Sequence, residues 1–200
     1  MQIKNLNWDA MVTPLTDDQG LLRLLAKGKQ AAFTALYERY QGPIYRFAWH
    51  MSGNQANAEE VTQEVFLRLI DKPGKYEPER GSLAGYLFGI ARNVLRQRME
   101  ASRLDVPLDD GMLEGEEPEL TEDTDLMAEF DREEKLECLR RSILALPEPY
   151  REVVVLCEIE EMSYPEAAAV LQCPLGTVGS RLNRARNMLK LKLSKMGCVR

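Results

Sequence analysis

The side chains with the clearest chemical potential lie near the C-terminus. Thr177, Ser180, Arg181 and Arg184 recur at helical spacing on one side of an expected helix, and Val178, Leu182, Ala185, Leu189 and Leu193 form a stripe on the other. Small hydroxyls hydrogen-bond phosphate or base edges, and arginine grips guanine through two parallel bonds, so the polar side suits the DNA major groove. Arg186, Lys190, Lys192 and Lys195 extend the positive potential, and no Asp or Glu follows Glu166. This is binding chemistry rather than bond-making chemistry. No nucleophile and base pair, metal cluster or phosphate loop is visible, so no enzyme, cofactor or metal site is expected. The single histidine, His50, sits among Ala48, Trp49 and Met51 and reads as a packing residue. The cysteines at 138, 157, 173 and 198 lack C-x-x-C spacing. Cys138 and Cys173 can be imagined to meet, but free cysteines acting as small buried hydrophobes in a reducing compartment are the stronger expectation.

The elements that must hold the basic helix are legible in "MSYPEAAAVLQCPLGTVGSRLNRARNMLKLKL". Ser163 with Glu166 spells a capping box, and Pro165 falls in the first turn, where its missing N–H costs nothing. A short helix to about Leu171, a tight turn over Gln172 to Pro174 and a second helix then follow, with Ala167, Ala168 and Ala169 allowing a close crossing. An amphipathic basic helix alone is more often a solvated face. The capped helix, the proline turn and the missing acids occur together here, which favours DNA.

The chain of 200 residues is 44% apolar and 29% charged, a soluble globular composition, and its apolar runs are too interrupted to span a membrane or to form a secretory signal. A cytoplasmic protein is expected. Its formal charge of −6 is unevenly spread, because Asp and Glu crowd the stretch from Leu104 to Glu134. That stretch also holds Pro107, Gly111, Gly115 and Pro118 and reads as a linker. The expected organisation is a flexible tail over 1–16, an all-α module over 17–103, an acidic linker over 104–134, a helix-turn-helix module over 135–195 and a tail over 196–200.

In the first module, Asp17 or Asp18 can cap a helix through Lys27. A second helix over Gln30 to Tyr40 is expected to break or kink at Gly42-Pro43 before another reaches Ser52. A helix near residue 65 buries Ala58, Val61, Val65 and Leu69 and leaves Leu67 outside among Glu60, Gln63 and Glu64. Such a face suits a basic protein partner. After an irregular loop from Lys72 to Ser82, a helix to about Ala101 carries Leu83, Leu87, Ile90 and Val94 on its core side, with Gly85, Gly89, Arg92 and Arg96 opposite. Two glycines inside a helix cost about 1 kcal/mol each, so a helix or a nucleic-acid strand should approach there. Tyr76, Tyr86 and Phe88 can stack on unpaired bases.

These strings, in this order, resemble the extracytoplasmic-function group of the sigma-70 family. "AEEVTQEVFLRLI" is similar to the part that binds the polymerase clamp, and "GSLAGYLFGIARNVL" to the part that opens and reads the minus-10 element. "LPEPYREVVVL" with the helix-turn-helix string is similar to the minus-35 reader. The resemblance implies two helical domains on a flexible linker, and core RNA polymerase as partner through its beta-prime clamp and beta flap. It further implies promoter DNA and an anti-sigma factor as partners. Glu60, Gln63, Glu64 and Leu67 would face polymerase. Tyr76, Tyr86, Arg92, Asn93 and Arg96 would face the minus-10 strand, with Arg151, Thr177, Ser180, Arg181 and Arg184 on the minus-35 duplex. Tyr86 stands where tryptophan is usual, Gly89 where a basic residue is frequent, and Gly179 where Lys or Arg is usual. The rival reading is an autonomous helix-turn-helix regulator that binds an operator as a dimer.

Overall fold

The computed structural model describes the backbone of residues 17–105 and 124–195 and the side chains of residues 17–101 and 134–195. The expected tails over 1–16 and 196–200, and most of the expected linker, lie outside the described residues. Every regular element among the described residues is helical.

Helix α1 (Asp18–Ala26) starts where Asp17 accepts the Gly20 N–H at 2.9 Å. Asp18 then pins it to the next helix by accepting from Arg39 and from the Tyr40 hydroxyl, each at 2.5 Å. Helix α2 (Gln30–Ser52) runs continuously through Pro43, so of the expected break or kink at Gly42-Pro43 the break does not occur. Proline removes one backbone bond at a cost of about 3 kcal/mol. Leu36 on one side of it, and Ile44 and Phe47 on the other, are all fully buried, and that burial outweighs the loss. Gly53 ends α2 with a left-handed φ of 68°.

Asn54, which accepts the Asn57 N–H at 2.9 Å, opens α3 (Gln55–Asp71). The irregular stretch that follows contains two short 3-10 turns, Pro73–Lys75 and Pro78–Arg80. Ser82 accepts the Gly85 N–H at 3.1 Å at the start of α4 (Leu83–Asp105). Helix α5 (Thr124–Leu144) begins well before residue 135, because Leu126 to Lys135 is rich in helix formers. After Leu146-Pro147, α6 (Glu148–Val154) passes into a π-helical turn over Val155–Ile159. The capping box of Ser163 and Glu166 is complete at α7 (Tyr164–Leu171), Gln172 turns the chain at a φ of 53°, and α8 (Leu175–Lys195) follows.

The core stripes match their expected members, except that Ile90, Leu189 and Leu193 are only half-buried, and of the three alanines of α7 only Ala167 is fully covered. The first four helices and the last four share one continuous hydrophobic core. Helix α2 packs on α5 and α6 as well as on α3 and α4, and α4 packs on α7. Gly53 marks the closest approach: a Cβ added there would stand 3.0 Å from Leu144 Cδ1 on α5.

The cysteine expectation is corrected in part. Cys157 and Cys173 are free and half-buried, whereas Cys138 is buried and disulfide-bonded. Sequence spacing does not show which thiols meet in space.

Gly28 and Gly53 both hold positive φ, but a Cβ at Gly28 meets nothing within 4 Å. Gly28→Ala should therefore lose only the backbone cost of roughly 1–2 kcal/mol. Gly53→Ala should lose measurably more in urea unfolding, the difference reporting the contact with Leu144.

Candidate nucleic-acid interface

Helix α8 stands on Val178, Leu182 and Ala185, all buried, and this fixes which side faces outward. Ser180 and Arg184 are exposed, and Thr177 and Arg181 are half-buried beside them. The Ser180 hydroxyl donates to the Thr177 carbonyl at 3.1 Å, which leaves its lone pairs available. Arg186 is engaged by Glu158 at 2.5 Å, whereas Arg181 and Arg184 have no ion pair among the described residues. Two unneutralised guanidiniums on an outward helix face make a phosphate- and base-seeking surface.

Arg151, expected beside this set, lies elsewhere. Its guanidinium donates to the Met51 carbonyl at 2.6 Å, to the Leu146 carbonyl at 3.0 Å and to the Leu144 carbonyl, tying α6 to the ends of α2 and α5. Burial disfavours its charged form. A guanidinium is positioned by whatever acceptors the fold brings near it, and here those are unpaired carbonyls at two helix ends.

The second candidate surface is a cleft of about 330 Å³. Tyr76, Tyr86, Gly89 and Asn93 line it from the first four helices, and Glu166, Ala169 and Gln172 of α7 form its opposite wall. The Tyr76 and Tyr86 rings pair with centroids 5.7 Å apart, and the Tyr76 hydroxyl donates to the Gly81 carbonyl at 2.9 Å. Lys75 and Arg80, not singled out from the sequence, also line this cleft. Of the bare glycines, Gly85 faces Val170 of α7 at 3.8 Å, and Gly89 meets nothing within 4 Å. Arg96 is exposed, but Arg92 is only 12% exposed and forks onto Glu152 of α6 at 2.5 and 3.4 Å.

The third is the outward face of α3. Leu67 is 53% exposed, and Ile70 at 45% and Tyr37 of α2 accompany it. These flank a groove of about 610 Å³ that also includes Phe33, Gln63 and Phe66. The Tyr37 and Phe66 rings meet at a tilt of 56°, with centroids 4.8 Å apart. Glu60 is exposed and paired with Arg98, and Glu64 is paired with Arg68 at 2.7 Å. The apolar part exceeds the lone leucine read from the sequence, because Tyr37 lies on a different helix and nothing in the periodicity of α3 points to it.

Two further contacts cross between the helix groups. Arg46 of α2 forks onto Glu160 at 3.1 and 2.8 Å, and the Ser82 hydroxyl donates to Glu166 at 2.8 Å. Glu160 is only 2% exposed, and burial raises its carboxyl above the ordinary range even though Arg46 pulls it down. Glu166 is held below that range by hydrogen bonds from Ser163 and then Ser82. His50 is pushed down by burial and by the charges of Arg140 and Arg46, which is consistent with a neutral packing residue. No cluster of metal-ligating side chains occurs among the described residues, and no described helix is long and apolar enough to cross a membrane.

An all-helical protein ending in a capped helix-turn-helix, with an acidic and apolar face at its other end, has the build of a DNA-binding partner of a larger machine. Comparison with known proteins makes this specific. Residues 36–103 match the model of Sigma-70 region 2, and residues 136–189 match that of Sigma-70, region 4. The chain is 34% identical to the ECF RNA polymerase sigma factor SigE of Mycolicibacterium smegmatis, over 97% of this chain and 74% of that protein. It is 32% identical to SigW of Bacillus subtilis, over 86% and 94%. In the solved structure of CnrH in complex with the cytosolic domain of CnrY, a chain 26% identical aligns with a TM-score of 0.65, covering 89% of this chain and 97% of that one. The RpoE factor of Bartonella quintana, solved with the anti-sigma factor NepR, shares the fold at a TM-score of 0.64 and 23% identity, over 81% and 96%.

The chain belongs to the sigma-70 family, in its extracytoplasmic-function group. It directs promoter-specific initiation by RNA polymerase, and the family is one of non-enzymatic initiation factors. The autonomous dimeric regulator is not favoured.

Because Glu160 has a raised carboxyl, the folded chain holds that proton more tightly than the unfolded one, and charged Glu160 costs stability as pH rises. Arg46→Ala removes the group that offsets this cost. The stability lost by Arg46→Ala in urea unfolding should therefore shrink as pH is lowered from about 7 to about 5, toward the carboxylate range.

Proposed function

We propose that three surfaces divide the work of this sigma factor. The groove of Tyr37, Gln63, Leu67 and Ile70, together with Glu60 and Glu64 on the same helix α3, docks on basic groups of the beta-prime clamp of core polymerase, and the second helix group meets the beta flap. Tyr76, Tyr86, Asn93, Arg92 and Arg96 capture unpaired minus-10 bases and their backbone. Thr177, Ser180, Arg181 and Arg184 read the minus-35 duplex, with Arg151 as a positioning residue behind them. Stacking on an aromatic ring contributes about 1–3 kcal/mol per base, comparable to the few kcal/mol needed to flip one out. The chain itself makes and breaks no bonds and needs no cofactor. It works in the cytoplasm, where polymerase is, on the two domains and linker read from the sequence. An anti-sigma factor is a fitting further partner, as one is for the Bartonella quintana neighbour.

The observation that carries this reading is the unneutralised Arg181 and Arg184 pair on the outward side of a capped helix-turn-helix. Transcription from a promoter library by core polymerase plus this chain should start at a defined set of sites. Arg181→Ala and Arg184→Ala should each weaken binding to those promoters by about 1–3 kcal/mol. Arg151→Ala should lower stability and leave the salt dependence of duplex binding unchanged. Reversing Glu60 and Glu64 to lysine should abolish polymerase binding in a pull-down while helix content by circular dichroism stays constant. Retained binding contradicts the clamp assignment.

A further inference from the structure

We propose that Tyr76 is a positioning residue for base selection at the minus-10 element: the bond from its hydroxyl to the Gly81 carbonyl holds residues 77–81 in the shape against which a flipped base is measured. The inference rests on the minus-10 assignment above and refines the part that Tyr76 takes in it.

The segment from Tyr76 to Gly81 lies between two fixed ends. Before it, the turn Pro73–Lys75 packs on α1 and α3. After it, Ser82 opens α4 by accepting the Gly85 N–H at 3.1 Å. Within it, the Arg80 N–H donates to the Glu77 carbonyl at 3.0 Å and the Gly81 N–H to the Pro78 carbonyl at 3.3 Å. Glu77 and Arg80 pair at 2.9 Å, but both are largely exposed, and a surface ion pair constrains little. Tyr76 adds a tie of another kind. Its hydroxyl donates to the Gly81 carbonyl at 2.9 Å, joining the first residue of the segment to the last. Its ring rests against Tyr86 of α4 with centroids 5.7 Å apart, so the segment is seated on a helix.

The acceptor is built for this bond. Gly81 holds a φ of 139° and a ψ of −171°, a combination that glycine alone adopts readily, and that ψ sets the direction of its carbonyl. A Cβ at Gly81 meets nothing within 4 Å, so the backbone conformation, rather than packing, calls for glycine. Burial, and then the charges of Asp18 and Glu79, push the Tyr76 hydroxyl above its ordinary value, which keeps it a donor. Glu77, Arg80 and Gly81 line the cleft together with Tyr86 and Asn93. A flipped base is read by its fit in a snug pocket. A wall that must be ordered on binding weakens the fit of the right base and yields to wrong ones, so a braced wall sharpens the choice.

The test compares the full chain with Tyr76→Phe, which keeps the ring and loses the hydroxyl. Tryptic cleavage after Lys75 and Arg80, followed by mass spectrometry without DNA, reads the brace. Initiation by core polymerase at a promoter from the library selection, with each of the four bases placed in turn at each minus-10 position, reads base choice. Tyr76→Phe should speed cleavage, and should narrow the ratio between the best base and the next, by roughly 2- to 10-fold each, the range of one hydrogen bond. Thermal unfolding should not change. Gly81→Ala misdirects the acceptor and should reproduce both effects, and adding Tyr76→Phe to it should change neither reading further. A stacking role predicts instead that Tyr76→Phe behaves as the unaltered chain. Unchanged cleavage or an unchanged base ratio in Tyr76→Phe overturns the inference, as does an additive double variant. The minus-10 assignment is judged separately by Tyr86→Ala and Asn93→Ala, which should lower initiation; if neither does, the assignment itself fails and the inference falls with it.

Discussion

Once α4 lies against α6, Arg92 and Glu152 leave water together, and neither can do so alone. An isolated buried charge costs several kcal/mol, so each demands the other at hydrogen-bonding distance. That demand adds a directional constraint on the register of the two helix groups, which apolar burial, being non-directional, lacks. Arg151, next along α6, reaches across to the carbonyl of Met51. Two successive residues thus tie one short helix to α4 and α2, and Arg46 with Glu160 adds a third tie from the π-helical turn. The turn adds a residue to the local repeat and so redirects the segment that carries Glu160.

Much of this was open to inspection in the amino-acid order. The capping box at Ser163 and Glu166, the turn through Gln172, the buried stripe of α3 and the outward side of α8 follow from local chemistry. The family resemblance rests on strings whose helices are found in the expected sequence along the chain. Local chemistry failed where distant residues decide. Pro43 reads as a break or a kink, and Ile44 and Phe47 bury so completely that α2 continues rather than breaks. The side of α4 that carries Arg92 reads as facing either a packing helix or a nucleic-acid strand, and only the family resemblance puts Arg151 on the DNA backbone. Their acceptors here are a glutamate sixty residues away and a carbonyl one hundred residues away, partners that no periodicity encodes. Tyr37 belongs to the α3 groove only because α2 packs beside it.

The glycines of α4 show how little a bare helix face says by itself. A bare backbone invites close approach, and the sequence alone leaves open whether a helix or a strand approaches. In the structure α7 takes the place at Gly85, while Gly89, one turn further on, remains open. A Cβ at Gly85 would meet Ser82 Oγ at 3.4 Å and Val170 at 3.8 Å, ordinary contact distances, so the helix packing seen does not by itself demand glycine at either position. Charge is equally permissive: the guanidinium of Arg92 forks onto the carboxylate of Glu152, and the same donor geometry matches phosphate oxygens.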